Sequence, residues 1–342
     1  MAAANPRLEG GPLHRRGGGG RGVTVLAVDG GGSSVRLAMA DREGDLVRFV
    51  SRDGGMNPLD NPDWLGNLRR ALDAVEAELG AVDFAVLGVP ATGEVPDNDR
   101  RVAAEIAGFL PVPHAIRNDV ALAHYGAFAG GPGILVLSGT GSMAMAGPGG
   151  DAALERTGGW GEEIGDEGSA LWIGREALSL AARTVDGRAD AVPLRDALFR
   201  HLGLDASDGL AALLGWYYGQ PHRRSATAAL ARVIDALAAG GDAHAGAIVD
   251  RAGELLSEHA DALRRRLPGA AAWPWSHAGG AFASERLRAR VAELQGSRPQ
   301  PPSLPPIGGG LLEAARRGGL APYAGWIARL RGALAAANKE KT

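Results

Sequence analysis

Two stretches decide the reading of this chain: VTVLAVDGGGSS at residues 23–34 and GILVLSGTGSMAMA at residues 133–146. Each is an apolar run of strand length that breaks at a glycine turn bearing hydroxyls. In the first, a second strand follows at Val35–Ala40 and a third at Asp45–Ser51, which predicts an antiparallel meander. In the second, the turn Gly139-Thr140-Gly141 leads into a strand at Met143–Ala146. The strand–glycine turn–strand order thus recurs after about 110 residues, an internal echo that suggests two related lobes.

Outward from the first stretch, Asn61-Pro62-Asp63 opens a helix with Trp64, Leu68, Leu72, Val75 and Leu79 on one face. A strand at Asp83–Val89, a helix at Asp99–Leu110, a short strand at His114–Arg117 and a helix at Val120–Ala129 complete a β-β-β-α-β-α-β-α half. After the second stretch, residues 167–267 read as mostly helical, with amphipathic runs at 170–182, 222–238 and 244–266. A strand at Trp273–His277, a helix at 282–295, a proline-rich loop and helices at 308–317 and 321–336 follow. The expected division is a disordered leader (1–22), an N-terminal lobe (23–130, with the returning helix 308–336) and a C-terminal lobe (131–307). The leader formally contains G-x-G-x-x-G at Gly17, Gly19 and Gly22, but no strand precedes it.

With 342 residues the chain is long enough for about two domains. Its 45% apolar and 22% charged residues match an ordinary globular protein. The net charge of −3 gives no electrostatic footprint for nucleic acid or an anionic membrane, and no window is long and apolar enough to span a bilayer. There is no cysteine, so disulfides, thiolate nucleophiles, iron–sulfur clusters and cysteine–zinc sites are excluded. The only lysines are Lys339 and Lys341, which removes a Walker A or Schiff-base lysine. Any phosphate handling falls to backbone amides, arginine or a metal ion.

Four segments carry candidate chemistry. Asp29-Gly30-Gly31-Gly32-Ser33-Ser34 places a carboxylate at a strand end, three glycines whose amides can approach an anion, and two hydroxyls for phosphate oxygens. Asp29 can hold Mg²⁺ through water. Gly139-Thr140-Gly141-Ser142 offers a second anion cradle. Asp119, in Arg117-Asn118-Asp119, stands where a helix begins; it serves there as an N-terminal cap or as general base toward a substrate hydroxyl. Finally, residues 157–174, TGGWGEEIGDEGSALWIG, combine close-approach glycines with an apolar face at Trp160 and an acceptor at Asp166, which suits a sugar. Asp97-Asn98-Asp99 reads as a solvated loop, Arg264–Arg266 as a solvated helix end, and His114 and His124 as packing residues.

In this order, DGGGSS, NDVALAHYGA, LSGTGSMA and GGWGEEIGDEGSALWIGREA resemble N-acetylglucosamine kinases of the BadF/BadG/BcrA/BcrD ATPase family, within the acetate and sugar kinase, heat-shock chaperone and actin superfamily. The resemblance covers roughly residues 23–325. It implies an α/β, two-lobed ribonuclease H-like actin-type ATPase fold with its active site in the interlobe cleft. It implies that Gly30, Gly31, Gly32, Ser33, Ser34, Gly139, Thr140, Gly141 and Ser142 hold the phosphates, with Asp29 near Mg²⁺. Gly279 and Gly280 in SHAGGAFAS match the adenosine-side glycines, and Gly308–Gly310 do so more weakly. Asp119 corresponds to the catalytic base; Asn57, Asn118, Asp119, Gly159, Trp160, Gly161 and Asp166 correspond to the sugar side. The implied activity is ATP- and Mg²⁺-dependent phosphorylation of an amino sugar, N-acetylglucosamine at O6, by a cytoplasmic homodimer. Glucosamine and N-acetylmuramic acid are the alternative acceptors, and a non-catalytic sugar sensor is the alternative of another class. Dehydratase activators of the family carry cysteine-bound clusters, a role that the absence of cysteine excludes.

Overall fold

The computed structural model describes residues 24–339; the expected leader and the strand start at Val23 lie outside the described residues. In chain order the elements are β1 (Thr24–Gly30), β2 (Ser34–Ala40), β3 (Leu46–Asp53), α1 (Trp64–Asp73), β4 (Val82–Gly88), α2 (Pro96–Ala107), β5 (His114–Arg117) and α3 (Asp119–Ala127). There follow β6 (Gly133–Ser138), β7 (Ser142–Gly147), β8 (Glu155–Gly158), α4 (Ala170–Val185), α5 (Val192–Leu202), α6 (Gly209–Gly219), α7 (Arg223–Ala229), α8 (Ala231–Ala239) and α9 (Ala243–Arg266). The chain closes with β9 (Trp275–Ala278), α10 (Glu285–Leu294), α11 (Pro306–Arg317) and α12 (Ala324–Lys339). Among the described residues, 24–133, 147–154 and 301–339 form one compact unit, and 134–146 and 155–300 form another.

The first unit is built on a five-stranded sheet in the order β3-β2-β1-β4-β5. Its meander is antiparallel, with Val28 opposite Leu37 and Leu37 opposite Val50. β4 and β5 add in parallel, each returned by a helix. The period-two alternation along β1 decides the two faces. Leu26 and Val28 join Leu37, Met39, Trp64, Leu68, Leu72 and Ile106 on one side. Val25 and Ala27 join Ala38, Leu122, Leu311 and Leu330 on the other. Both faces are covered by helices, so the sheet interior is continuously apolar.

The helix opened by Asn61-Pro62-Asp63 stops earlier than its apolar spacing suggests. α1 ends at Asp73, and a 3₁₀ segment occupies Glu76–Ala81. Trp64, Leu68, Leu72 and Val75 are buried as expected, but the chain tightens beyond them to reach β4. Asp97, Asn98 and Asp99 are not a solvated loop: they form the first turn of α2, where Asn98 and Asp99 are buried and the Asp99 carboxylate accepts the Gly93 N–H at 2.9 Å. Gly308–Gly310 are also reassigned. They are buried in α11, and a Cβ on Gly309 would stand 2.2 Å from the Leu122 carbonyl oxygen, so glycine there lets α11 lie tightly on α3.

The second unit holds a four-stranded sheet ordered β8-β7-β6-β9, with β7–β8 antiparallel and β6–β9 parallel. The order β7-β6-β9 repeats the β2-β1-β4 order of the first unit, which gives the echo its structural form. The helices from α4 to α10 bury one large core around Phe199, Ile234, Leu256 and Trp275. β8, α5 and α6 carry no separate signal in the residue pattern. The run at 222–238 divides into α7 and α8, and Arg264 is less solvated than expected because it donates to the carbonyls of Ala270, Ala271 and Trp273.

Candidate active site

In the first unit the site residues collect at the C-terminal ends of the parallel strands, where α/β sheets present ligand sites. Strand register puts Asp29 of β1 beside Gly88 of β4, and Gly88 beside Arg117 of β5. Asn118 then caps α3. Its Oδ1 accepts the Val120 N–H at 2.9 Å, and its Nδ2 donates to the Thr92 carbonyl at 3.1 Å. Asp119 is therefore not the cap; it is the first residue of the helix, partly buried and directed by the cap beside it. Gly88 makes this possible: a Cβ there would clash with Leu122 at 2.7 Å and crowd the Asp119 Cα at 3.4 Å.

This crowding has an electrostatic consequence. Burial pushes the Asp119 carboxyl up to about 7, helped by the negative charge of Asp29 and, more weakly, of Glu94, while the Val120 N–H pulls the other way. Burial likewise pushes Asp29 up to about 6, against the lowering influence of Arg36, whose guanidinium is 3.8 Å away. Arg36 is half exposed, whereas the Asp29 side chain is 13% exposed. Two carboxyls thus share a site that resists holding two negative charges.

The turn that follows Asp29 is braced from behind and open at its tip. The Gly31 N–H donates to the Ser34 carbonyl at 2.8 Å, the Met56 N–H to the Gly31 carbonyl at 2.9 Å, and the Gly54 N–H to the Ser33 carbonyl at 2.9 Å. Gly30 admits no side chain, since a Cβ would lie 2.7 Å from that of Met56, but Gly32 faces open space. Asn57, next to Met56, spends its amide locally, donating to Asp60 at 3.0 Å and accepting from the Leu59 N–H at 3.0 Å.

In the second unit the Gly139–Ser142 turn is tied to the loop before α4. Gly139 and Thr140 carbonyls accept the N–H groups of Ala170 and Leu171 at 2.9 and 3.4 Å. The Ser138 hydroxyl donates to the Gly168 carbonyl at 2.9 Å, and the Ser142 hydroxyl to the Glu167 carbonyl at 2.7 Å. Asp166, 4% exposed and in the left-handed backbone region at φ 59°, completes the bracing. Its Oδ1 accepts the Ser142 N–H at 3.1 Å and its Oδ2 pairs with Arg224 at 2.8 Å. Arg224 also contacts Glu162 at 3.1 Å. Composition and motif spacing missed Arg224, because it lies 58 residues from Asp166 in a helix with no motif of its own. Gly159 and Gly161, at φ 70° and 84°, hold Trp160 outward with 64% of its surface exposed. Gly279, at φ 97°, backs the same turn: a Cβ would stand 2.2 Å from the Ser138 carbonyl oxygen. Gly280 beside it faces open space.

The structure thus gathers Asp29, Gly30–Ser34, Asn118 and Asp119 in one unit, and Gly139–Ser142, Gly159–Gly161, Asp166, Gly279 and Gly280 in the other. His114 and His124 are buried and bonded to backbone carbonyls, as packing residues should be. The Asp29–Asp119 pair fits a hydrated Mg²⁺, which typically takes one or two carboxylates, keeps several waters and takes the rest of its shell from substrate phosphates. No helix among the described residues is long and apolar enough to cross a membrane.

These features agree with the chain's similarities. An N-acetylmuramic acid/N-acetylglucosamine kinase of Clostridium acetobutylicum is 26% identical over 226 residues, covering 64% of this chain and 72% of that protein. The crystal structure of a proposed N-acetylglucosamine kinase from Chromobacterium violaceum superposes with a TM-score of 0.66 at 26% identity, over 85% of this chain and 98% of that one. A structure from Porphyromonas gingivalis shares the fold, with a TM-score of 0.61 at 18% identity over 86% of this chain and 99% of that one. The fold is the two-lobed, ribonuclease H-like architecture of actin-type ATPases. Residues 26–309 match the BadF/BadG/BcrA/BcrD ATPase family, and the chain belongs to that family.

Proposed function

We propose that the protein is an ATP-dependent sugar kinase whose acceptor is an amino sugar, N-acetylglucosamine at O6. The single observation that carries this reading is Asp119, whose carboxyl is raised to about 7 beside Asp29 at the end of the parallel strands. A general base works best when its pKa lies near the working pH, because it is then both available and basic. The similarity to kinases of N-acetylglucosamine supports the acceptor class.

In this mechanism the backbone amides of the glycine hairpins hold phosphate oxygens. The open tips at Gly32 and Gly139 let backbone amides approach phosphate oxygens without side-chain interference. When bound, Mg²⁺ supplies charge neutralisation on the phosphate oxygens; Asp29 would hold it through water, with Asp119 close by. Asp119 takes the proton of the sugar hydroxyl as the oxygen attacks the γ-phosphorus and the bond from that phosphorus to the β-phosphate oxygen breaks, releasing ADP. Trp160 covers an apolar face of the sugar, and the Asp166–Arg224 pair keeps the sugar loop and the second hairpin in register. Phosphoryl transfer of this kind depends on positioning and charge rather than on a covalent enzyme intermediate. Homodimerisation and a cytoplasmic location are part of the proposal.

Sugar-dependent ADP release, measured with N-acetylglucosamine, glucosamine, N-acetylmuramic acid and glucose side by side, tests it. The expected order has N-acetylglucosamine first; ADP release that no sugar stimulates would remove the kinase reading.

A further inference from the structure

In the second unit, α6 reads GLAALLGWYYG and holds no charged side chain. A helix that is apolar all round is normally enclosed, yet Leu213 is the one buried residue of this helix. Leu210, Leu214 and Tyr218 form a row four residues apart, with 52%, 45% and 68% of their surfaces exposed. The neighbouring row is Ala211, Gly215 and Gly219, all exposed. An apolar cleft of about 260 Å³ between α4 and α6 borders the first row, with Leu178, Ala182, Leu213 and Leu214 in its walls. Contiguous exposed apolar surface of this kind marks a contact site.

Large side chains on one i, i+4 row and small ones on the next make a ridge and a groove on one surface. Such a surface fits itself: about a two-fold axis, the ridge of each copy meets the groove of the other. Leu214 is the middle residue of the 11 in α6, so an antiparallel pairing centred there keeps both rows in contact along the helix. Gly215 supports a close approach from outside. Glycine inside a helix costs about 1 kcal/mol relative to alanine. A Cβ at Gly215 would meet nothing within 4 Å, so the single chain gives no packing reason for glycine there, whereas a helix laid against it does.

The charges at the two ends of α6 complement one another in the same arrangement. Asp205 and Asp208 are exposed just before the helix. Arg223 is exposed just after it, with its guanidinium 5.9 and 5.8 Å from the ring centroids of Tyr217 and Tyr218. Among the described residues none of these three charges is in an ion pair. Antiparallel pairing brings the acidic end of one helix to the arginine end of the other, whereas parallel pairing sets like charges together. We infer that the exposed face of α6 is a two-fold contact with a second copy of this chain, the helices antiparallel and crossing at Leu214 and Gly215. The inference rests on the homodimer of the proposed function and names the surface that forms it.

Sedimentation equilibrium of the full chain over a range of concentrations tests it, with circular dichroism to show which variants are folded. The wild type should be a dimer. Leu214→Glu sets two like charges at the axis and Gly215→Leu fills the groove; each should weaken the dimer roughly 100-fold. Asp208→Arg should weaken it roughly tenfold, and adding Arg223→Asp should restore it, because the swap rebuilds the pair across the axis. Three sites of change keep the result readable if one variant fails to fold. A wild type that is monomeric at every concentration overturns the surface and the homodimer together. A dimer that survives Leu214→Glu and Gly215→Leu overturns the surface and leaves the homodimer standing.

Discussion

The two glycine hairpins have nearly the same local grammar and opposite electrostatic surroundings. At the first, the charge of Asp29 acts on Asp119, both carboxyls are partly desolvated, and among the described residues the cation paired with Asp29 is a half-exposed arginine at 3.8 Å. At the second, the acid is Asp166, and its two oxygens are taken by the Ser142 N–H and by Arg224 at 2.8 Å. The first acid pair stores unfavourable charge that a cation or a proton can relieve, so it suits reaction. The second acid is spent on holding a turn and a loop together, so it suits positioning. A shared turn therefore does not imply a shared role: the partners of the acid decide it.

The sharpest way to break this contrast is Asp119→Asn. It should fold and lose roughly 10²- to 10⁴-fold in kcat, with the KM for ATP little changed, in a coupled ADP assay. In the wild type, kcat/KM should climb as pH rises through about 7 and level off above it, because the base must be unprotonated. Turnover near that of the wild type, or a flat profile between pH 5 and 8, would move the base elsewhere.

The next effect separates the two kinds of glycine. Gly279→Ala forces a Cβ against the Ser138 carbonyl at φ 97° and should destabilise by roughly 2–4 kcal/mol in denaturant titration. Gly139→Ala meets open space and should unfold like the wild type, yet raise the ATP KM roughly tenfold by obstructing the phosphate approach. If both behave alike, the distinction between framework and cradle fails.

Arg224→Ala sharpens the positioning side. It leaves the Asp166 carboxylate buried and without its cation, and Arg224 is itself 39% exposed, so a loss of about 1–3 kcal/mol is expected. Calorimetric unfolding that matches the wild type would show that the pair does no bracing.

The smallest effect is in stability against pH. Asp119 has a folded pKa of about 7 against a reference value of 3.8, so the folded state keeps a proton that the unfolded chain releases. The wild type therefore loses stability from this group as pH rises from about 4 to about 7, and Asn carries no such penalty. Asp119→Asn should be more stable than the wild type at pH 8, with the difference vanishing near pH 4. A difference of the same size at both pH values would mean that the carboxyl is not desolvated.

Much of the architecture was readable along the chain. The β-β-β-α-β-α-β-α order of the first half, the strands His114–Arg117 and Gly133–Ser138, and the two hairpins emerge where expected. Alternation of apolar residues and glycine punctuation are local signals, and these elements depend on little else. The apolar face from Trp64 to Leu79 overran its helix because spacing does not show where a chain must tighten to enter the next strand. Asp97-Asn98-Asp99 looked solvated because polar residues mark both loops and helix starts.

The sequence by itself determined which backbone segments could turn tightly, which strands have two buried faces, and which chemistries are absent for want of cysteine and internal lysine. These follow from φ/ψ freedom, period and residue inventory, all of which are properties of neighbours in the chain. Tertiary structure alone decided that Asp119 holds its proton to about 7 and that Asp166 is paired with a residue 58 positions away. Desolvation and ion pairing act through space, so the charge state of a carboxyl is settled by whatever the fold packs around it.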